Sequence, residues 1–145
     1  MEDMSQFYSD LILEHNRDKR NKRELTSFDL EEHGHNPSCG DDLTLRVKID
    51  KDIITDAAYQ GSGCAISQAS ASMMIDVIKG KTVEEALKLV DTFLGMIKRE
   101  ITDESELEQL EEAIALKNIS NMPARVKCAV LAWHTLKTAI EEKAI

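Results

Sequence analysis

Aromatic residues, prolines and long hydrophobic runs are scarce in this chain of 145 residues. Phe, Trp and Tyr make up only 4% of the residues, whereas 42% are hydrophobic, so aliphatic side chains and methionine must form most of the core. No stretch approaches the roughly 20 apolar residues of a membrane span. The acidic start, Met1-Glu2-Asp3, lacks the apolar core of a signal peptide. We therefore expect a soluble, cytoplasmic protein without a membrane partner.

Positive charge is also in short supply. Lys and Arg number 18 against 27 Asp and Glu, which gives a net charge of −9. Nucleic acids and anionic membranes bind positively charged surfaces, so neither is an expected partner. The length predicts a single domain, residues 1–145, that is large enough to bury a core.

Cysteine is limited to Cys39, Cys64 and Cys128. An odd number of thiols in a compartment that keeps them reduced argues against a disulfide framework. Metal binding or thiol chemistry is the better interpretation.

Hydrophobic periodicity predicts one hairpin and five helices. Residues 43–49 alternate apolar and polar side chains as a half-buried strand does, and residues 53–60 form the returning strand after a turn. Helical spacing marks residues 5–16, a segment that follows Cys64, residues 82–97 with a capping box, residues 103–117 and a segment from Pro123. Residues 24–38 look irregular. The pattern predicts an α+β fold in which several helices pack on one side of a small antiparallel sheet.

The hairpin brings distant cysteines together. Cys39 and Asp41 stand just before its first strand, and the Gly61-Ser62-Gly63-Cys64 turn follows its second strand. Both ends of a hairpin lie on the same side of the sheet, so these two loops are expected to be neighbours. Cys128 lies near the start of the last helix, outside its apolar stripe.

Three thiols and one carboxylate form a set of four ligands that suits tetrahedral zinc. Three thiolates and one weaker ligand also suit an iron–sulfur cluster that must later leave. Spacing alone leaves open that Cys64 and Cys128 are small buried core residues. His33 and His35 could replace Asp41 as a ligand, although solvated loop histidines are the favoured interpretation.

The segment 17–23 carries five basic residues in seven. It is interpreted as a solvated linker, with docking of an acidic partner surface as the alternative.

Three ordered motifs resemble the IscU/NifU-type iron–sulfur assembly proteins over nearly the whole chain. These are Ser38-Cys39-Gly40-Asp41, the Gly-x-Gly-Cys turn at 61–64 and the helix start at 126–132. The resemblance implies the IscU/NifU N-terminal fold. It also implies a metal or cluster site at Cys39, Asp41, Cys64 and Cys128, often filled by zinc in place of a cluster.

The sequence departs from the cluster-scaffold branch of that family in two features, and in both it is similar to the SufU branch. Lys127 stands where the cluster-scaffold branch carries a histidine before its third cysteine, and Met122-Pro123-Ala124-Arg125-Val126-Lys127 replaces a chaperone-recognition motif. The interval from Cys64 to Cys128 is also longer, with an extra helical segment around 93–118.

The SufU resemblance implies a zinc-dependent sulfurtransferase-like partner of a SufS-type cysteine desulfurase. On docking, Cys39 would leave the zinc, because its loop can swing, and would take the persulfide sulfur and pass it to other iron–sulfur assembly proteins. Arg125 either supports the transient thiolate or docked partner, or is a solvated arginine at a helix start. Two alternatives stay open: a scaffold that binds an iron–sulfur cluster, and a zinc-stabilised adaptor without sulfur chemistry.

Overall fold

The computed structural model describes residues 4–37 and 40–143. Within these ranges three strands form one antiparallel sheet in the order β1 (Leu30–Asn36), β2 (Asp41–Asp50) and β3 (Ile53–Ser62). The helices are α1 (Met4–Arg17), α2 (Ala65–Ile78), α3 (Val83–Ile97), the short α4 (Glu104–Leu107), a 3₁₀ helix (Glu108–Asn121) and α5 (Pro123–Lys143). Helix α5 packs on β1 and β2, and α2 packs on β3. The predicted α+β fold is confirmed.

The predicted hairpin is formed by β2 and β3. Each strand extends beyond the residues from which it was predicted. Leu43, Leu45 and Val47 are buried in turn beneath the helices. The turn uses Lys51 and Asp52, whose φ angles of 50° and 70° reverse the chain within two residues. The extra length of β2 begins at Asp41, so the first candidate ligand belongs to the strand itself.

Strand β1 was missed, because residues 24–38 were expected to be irregular. Its inward positions include only one large apolar residue, Leu30, while Gly34 and Asn36 occupy the other buried places. A side chain at Gly34 would not fit: its Cβ would lie 2.1 Å from Thr135 Oγ1 on α5. The close approach of α5 therefore removes the alternation by which the strand could have been recognised.

The prediction of an α-helix over residues 103–117 is wrong in the type of helix. The chain makes one α-helical turn, α4, and then continues as a 3₁₀ helix to Asn121, with a break at Glu111 where φ is 52°. Side chains of a 3₁₀ helix align every third residue. Ala115 is the exception among the six buried side chains here, and the other five follow that period: Leu107, Leu110, Ala113, Leu116 and Ile119. The exposed acidic residues lie between these positions. Of the prediction for this segment, only its location at the protein surface is therefore confirmed.

The other helix starts are as predicted. Thr82 caps α3 through a hydrogen bond from the Glu85 N–H, and Glu85 accepts the Thr82 N–H in return, which completes the capping box. Helix α5 starts at Pro123. Among the described residues, no helix is both long enough and apolar enough to span a membrane.

The basic segment 17–23 is not a solvated linker. Arg20 Nη2 lies 2.6 Å from Asp76 Oδ2 on α2, and Arg23 Nη2 lies 2.6 Å from Asp56 Oδ1 on β3. Its backbone pairs with the outer edge of β3, where Tyr59 N–H donates to the Asn21 carbonyl. These contacts fix the segment against the protein and cover part of an edge strand.

Candidate metal centre

Asp41, Cys64 and Cys128 meet at one end of the sheet. One carboxylate oxygen and the two sulfur atoms all lie within 4.8 Å of one another. Asp41 and Cys128 are each 1% exposed, and Cys64 is partly exposed. Three residues that are far apart in the sequence thus offer three ligand atoms to one point with access to solvent beside Cys64.

Asp41 is fixed by the hairpin and holds the neighbouring loop. It is the first residue of β2, and its Oδ1 accepts a hydrogen bond of 2.9 Å from the Cys64 N–H. Its Oδ2 is buried and has no hydrogen-bond partner among the described residues. A buried carboxylate oxygen normally has a donor or a cation beside it, since its desolvation is costly.

Cys64 is the residue that caps α2. Its φ of −71° and ψ of 165° are extended, and its Sγ accepts the Ser67 N–H at 3.4 Å. Gly63 before it must lack a side chain, because a Cβ there would lie 2.6 Å from Asp41 Oδ1. The Gly-Cys pair therefore lets the start of α2 approach the carboxylate closely.

Cys128 is placed by the packing of α5 against α2. Ser70 Oγ on α2 donates to the carbonyl of Ala129 at 2.6 Å and accepts the Trp133 Nε1–H at 2.9 Å. The Trp133 ring stacks on Phe93 with centroids 4.1 Å apart. These buried contacts fix the first turns of α5, so Cys128 is buried although it lies outside the apolar stripe.

The fourth expected ligand, Cys39, lies outside the described residues, and its place in the centre stays a prediction. The residues that flank its loop, Asn36 and Asp41, pair directly across β1 and β2. Arg125 is exposed and precedes Cys128 by three residues on α5, so the two project from the same side of the helix. Its supporting role also stays a prediction.

The two histidines of β1 lie on the exposed side of the sheet. His33 and His35 are exposed, and His33 Nε2 lies 2.7 Å from Asp42 Oδ1. Asp42 follows Asp41 in β2, and successive strand residues point to opposite faces. Within the described residues, the ligand atoms that meet at the centre do not include either histidine.

The ligand types in the centre fit zinc. Zinc binds thiolate sulfur at about 2.3 Å and carboxylate oxygen at about 2.0–2.2 Å, which places the ligand atoms of a tetrahedral ion roughly 3.3–3.8 Å apart. The three described ligand atoms lie within 4.8 Å of one another, and Asp41 Oδ2, which has no hydrogen-bond partner among the described residues, is available to the ion. The same ligand types also suit an iron–sulfur cluster.

A second group of residues has side chains of the types that bind metal ions. The sequence did not indicate this group, and it has a structural explanation. His15, Asp76 and Glu112 lie together between α1, α2 and the 3₁₀ helix. The buried His15 ring bonds to Ser72 Oγ at 2.8 Å and to Glu112 Oε1 at 3.0 Å, as expected for a packed histidine. Asp76 is held by Arg20 and Asn21. The group is part of a hydrogen-bond network that ties these elements together.

Two further side chains beside the centre were also missed. Lys22 Nζ donates to Gln68 Oε1 at 2.6 Å, and Gln68 Nε2 donates to the Gly63 carbonyl at 2.9 Å. Burial lowers the pKa of Lys22, and neighbouring Lys19 lowers it further. Burial raises the pKa of nearby Tyr59 to about 12, so its phenol is neutral at physiological pH. In the sequence, the residue that could have indicated this contact was Lys22, which lies in the segment interpreted as a linker.

Curated relatives of known name match almost the full chain. The iron–sulfur cluster assembly scaffold protein IscU of Thermotoga maritima is 41% identical, over 93% of this chain and 93% of that protein. The zinc-dependent sulfurtransferase SufU of Bacillus subtilis is 40% identical, over 94% of this chain and 90% of that protein. One of these relatives is named as a scaffold and the other as a sulfurtransferase, and their sequence identities to this chain are nearly equal.

Solved structures agree with the fold. A crystal structure from Fervidobacterium islandicum AW-1, described as a SUF-system assembly scaffold protein (FiSufU), has a TM-score of 0.86 at 38% identity, covering 93% of this chain and 97% of that one. The N-terminal NifU-like protein of Brucella abortus has a TM-score of 0.80 at 24% identity, over 97% and 99% of the two chains, and supports the fold alone. The family model of the NifU-like N terminal domain matches residues 7–143. The chain belongs to the NifU-like N-terminal domain family, as the motifs around its cysteines indicated.

Proposed function

We propose that this protein acts in iron–sulfur cluster assembly as a zinc-dependent sulfur acceptor. It takes persulfide sulfur from a SufS-type cysteine desulfurase and passes it to other assembly proteins. The observation that carries the proposal is the buried Oδ2 of Asp41, which lies beside the thiols of Cys64 and Cys128 and has no hydrogen-bond partner in the part of the chain that the structure describes. A carboxylate held in this way among thiols is a ligand set for a metal ion rather than a packed core.

The residues around Cys128 favour the sulfur-acceptor role over the scaffold role. Lys127, which stands where the resemblance leads us to expect a histidine in scaffolds, is exposed on α5. The extra segment that the resemblance implies around 93–118 covers the end of α3, α4 and most of the 3₁₀ helix, and the last two elements pack on α3. The zinc-dependent sulfurtransferase of B. subtilis is 40% identical to this chain and the T. maritima scaffold is 41% identical, so sequence identity does not separate the two roles.

In the proposed centre Cys39, Asp41, Cys64 and Cys128 hold the ion. Zinc, when bound, keeps its cysteine ligands deprotonated and therefore nucleophilic near neutral pH. Asp41 also holds the Cys64 N–H, which fixes the start of α2 while its second oxygen serves as ligand. Cys64 caps α2 and Cys128 is buried in α5, so Cys39, whose position in the sequence falls between β1 and β2, is the ligand we assign as sulfur acceptor.

The transfer step exchanges one sulfur–sulfur bond for another. The Cys39 thiolate attacks the outer sulfur of the desulfurase persulfide and forms a new S–S bond. The bond between that sulfur and the desulfurase cysteine breaks, and the desulfurase leaves as a thiolate. The proton of the persulfide stays on the transferred sulfur, so no oxidant or reductant is consumed. To Arg125, which is exposed three residues before Cys128, we assign the role of stabilising the negative charge of the docked partner.

A scaffold on which an iron–sulfur cluster is assembled and then transferred is the second candidate. It is favoured by the T. maritima relative named as a scaffold, which is as similar as the sulfurtransferase. In that case the cluster is the cargo, and the same thiols and Asp41 bind it. A purely structural zinc site is disfavoured, because such sites are closed by Cys and His rather than by a carboxylate.

The test is the metal and acid-labile sulfide content of protein purified without oxygen, followed by a desulfurase assay with radiolabelled cysteine. We expect one zinc per chain, no labile sulfide and label transferred to the protein. The Cys39→Ser variant should lose the label while it keeps the wild-type circular dichroism spectrum.

Two results would decide against the sulfur-acceptor role. Iron with matching sulfide and a brown chromophore would support the scaffold. Zinc without any uptake of label, together with loss of folding in Cys39→Ser, would support a structural adaptor.

A further inference from the structure

The peptide group between Gly63 and Cys64 is held from both sides. Its N–H, from Cys64, donates to Asp41 Oδ1 at 2.9 Å. Its carbonyl, from Gly63, accepts a hydrogen bond of 2.9 Å from Gln68 Nε2, one turn further along α2. The orientation of this peptide determines the direction of the Cys64 side chain and the rotation of the Asp41 carboxylate.

Gln68 is in turn oriented by Lys22. A lysine ammonium can only donate hydrogen bonds, so the contact of 2.6 Å with Gln68 Oε1 fixes the oxygen of the amide toward Lys22. The amide nitrogen must then face Gly63. Without Lys22 the amide could turn over and present its oxygen to the Gly63 carbonyl, which would be repelled.

Lys22 is itself held in place by the backbone of the segment around it. Asn21 accepts the Tyr59 N–H at 3.0 Å, and Arg23 N–H donates to the Tyr59 carbonyl at 3.1 Å. Lys22 is thus fixed on the edge of β3, with its partly buried ammonium directed at Gln68. By contrast Lys19, in the same basic segment, is exposed.

We propose that Lys22 and Gln68 are positioning residues for the metal centre. Together they hold the Gly63–Cys64 peptide so that Cys64 Sγ and Asp41 Oδ2 face the same point, and they thereby slow the release of the metal ion. The inference rests on the proposed function only in taking the centre to bind a metal ion.

The test uses Gln68→Glu and Lys22→Met in the full chain. Glutamate keeps the shape of glutamine and gains an ion pair with Lys22, but it cannot donate to the Gly63 carbonyl. Gln109→Glu, at an exposed position of the 3₁₀ helix, and Lys19→Met are the matched controls for charge. Zinc release to a chromogenic chelator, the ligand-field spectrum of the cobalt(II) protein and urea unfolding of the metal-free protein are measured.

We expect zinc release to be about tenfold faster in Gln68→Glu, the effect of losing one well-placed hydrogen bond. Lys22→Met should accelerate release by a smaller factor, and Lys22→Arg, which keeps a donor, should restore the wild-type rate. The cobalt spectrum should change in Gln68→Glu, while the midpoint of urea unfolding of the metal-free protein stays near that of wild type. Both controls should match wild type.

Release rates within twofold of wild type in both variants, with tight binding in wild type, would overturn this inference alone. An unchanged cobalt spectrum with equally lowered unfolding midpoints would also overturn it, since that pattern indicates a general structural role. A wild-type protein that binds neither zinc nor cobalt would overturn the proposed function and this inference with it.

Discussion

The two carboxylate oxygens of Asp41 have different roles. Oδ1 holds the N–H of Cys64, and Oδ2 is buried without a hydrogen-bond partner among the described residues. In the proposed centre this carboxylate would be the weaker ligand among thiolates, and we assign to it the role of making the site able to open. The neighbouring Asp42 is exposed and pairs with His33 on the other face.

Asp41→Ala should leave zinc bound but slow the release of sulfur several-fold. The remaining ligands are thiolates, which hold the ion more tightly than a carboxylate does. The measurement is the rate at which sulfur-loaded protein supplies sulfide in a desulfurase assay. Asp42→Ala is the control, and turnover equal to wild type in Asp41→Ala would contradict the role assigned to this carboxylate.

Cys64 combines the ligand role that we propose with a helix-capping role, and substitution by serine separates the two roles. Ser is a preferred N-cap and can accept the Ser67 N–H in place of the sulfur, whereas Ala cannot. We expect metal-free Cys64→Ser to unfold close to wild type and Cys64→Ala to be about 1 kcal/mol less stable than Cys64→Ser. Both variants should lose tight zinc binding.

Urea unfolding of the metal-free proteins and zinc titration measure the two effects. Equal stability of the serine and alanine variants would show that the cap does not contribute, and zinc affinity equal to wild type in either variant would remove Cys64 from the centre.

At the scale of the elements, the contact between α2 and α5 determines where two of the ligands meet. Cys64 precedes α2 and Cys128 lies near the start of α5, and the buried hydroxyl of Ser70 bridges these helices. It donates to the Ala129 carbonyl next to Cys128 and accepts the indole N–H of Trp133. The polar contact fixes the relative position of the helices in a core that is otherwise apolar.

Ser70→Ala should therefore destabilise the protein by about 2 kcal/mol, because a buried carbonyl and a buried indole N–H lose their partner. Urea unfolding gives the change in the free energy of unfolding. The exposed Ser27→Ala should lie within about 0.5 kcal/mol of wild type. In a Trp133→Phe background, which has no indole N–H, the additional cost of Ser70→Ala should be smaller; an equal cost would exclude the bridge as the cause.

The whole molecule is expected to be coupled to the metal through its folding. The ligands come from β2, from the start of α2 and from α5, so only the folded chain presents them together. A ligand that binds only the folded state stabilises it by RT ln(1 + [L]/Kd), about 2.7 kcal/mol when its free concentration is 100 times Kd.

Removal of zinc by a chelator should lower the melting temperature by roughly 10 °C under those conditions. Calorimetry with and without the chelator measures the shift. Cys128→Ser should show a much smaller shift with the chelator, whatever its own melting temperature. A wild-type melting temperature that does not respond to chelation or to added zinc would contradict the coupling.

How far the elements could be predicted depended on whether burial left a pattern in the sequence. The β2–β3 hairpin shows alternating apolar residues, and α3 shows its capping box, so both were predicted. Strand β1 could not be recognised, because Gly34 replaces an apolar residue where α5 approaches. The 3₁₀ helix did leave a signal, apolar residues at every third position from Leu107 to Ile119, but it was interpreted with the period of an α-helix.

The sequence by itself determined the ligand types and the family. Three ordered cysteine motifs and one aspartate indicated a metal or cluster site and the NifU-like fold, because such motifs are local and their chemistry depends on residue type. The hairpin also predicted that the loops before β2 and after β3 are neighbours.

Only the tertiary structure decided which atoms meet and what holds them. The separate roles of the Asp41 oxygens, the burial of Cys128 and the contacts from Lys22 through Gln68 to Gly63 all join residues that are distant in the sequence. The basic segment 17–23 shows the same difference. Its charges indicated a solvated linker, whereas its backbone pairs with β3. Such contacts depend on how helices and strands pack, and that packing results from the whole core rather than from any local pattern.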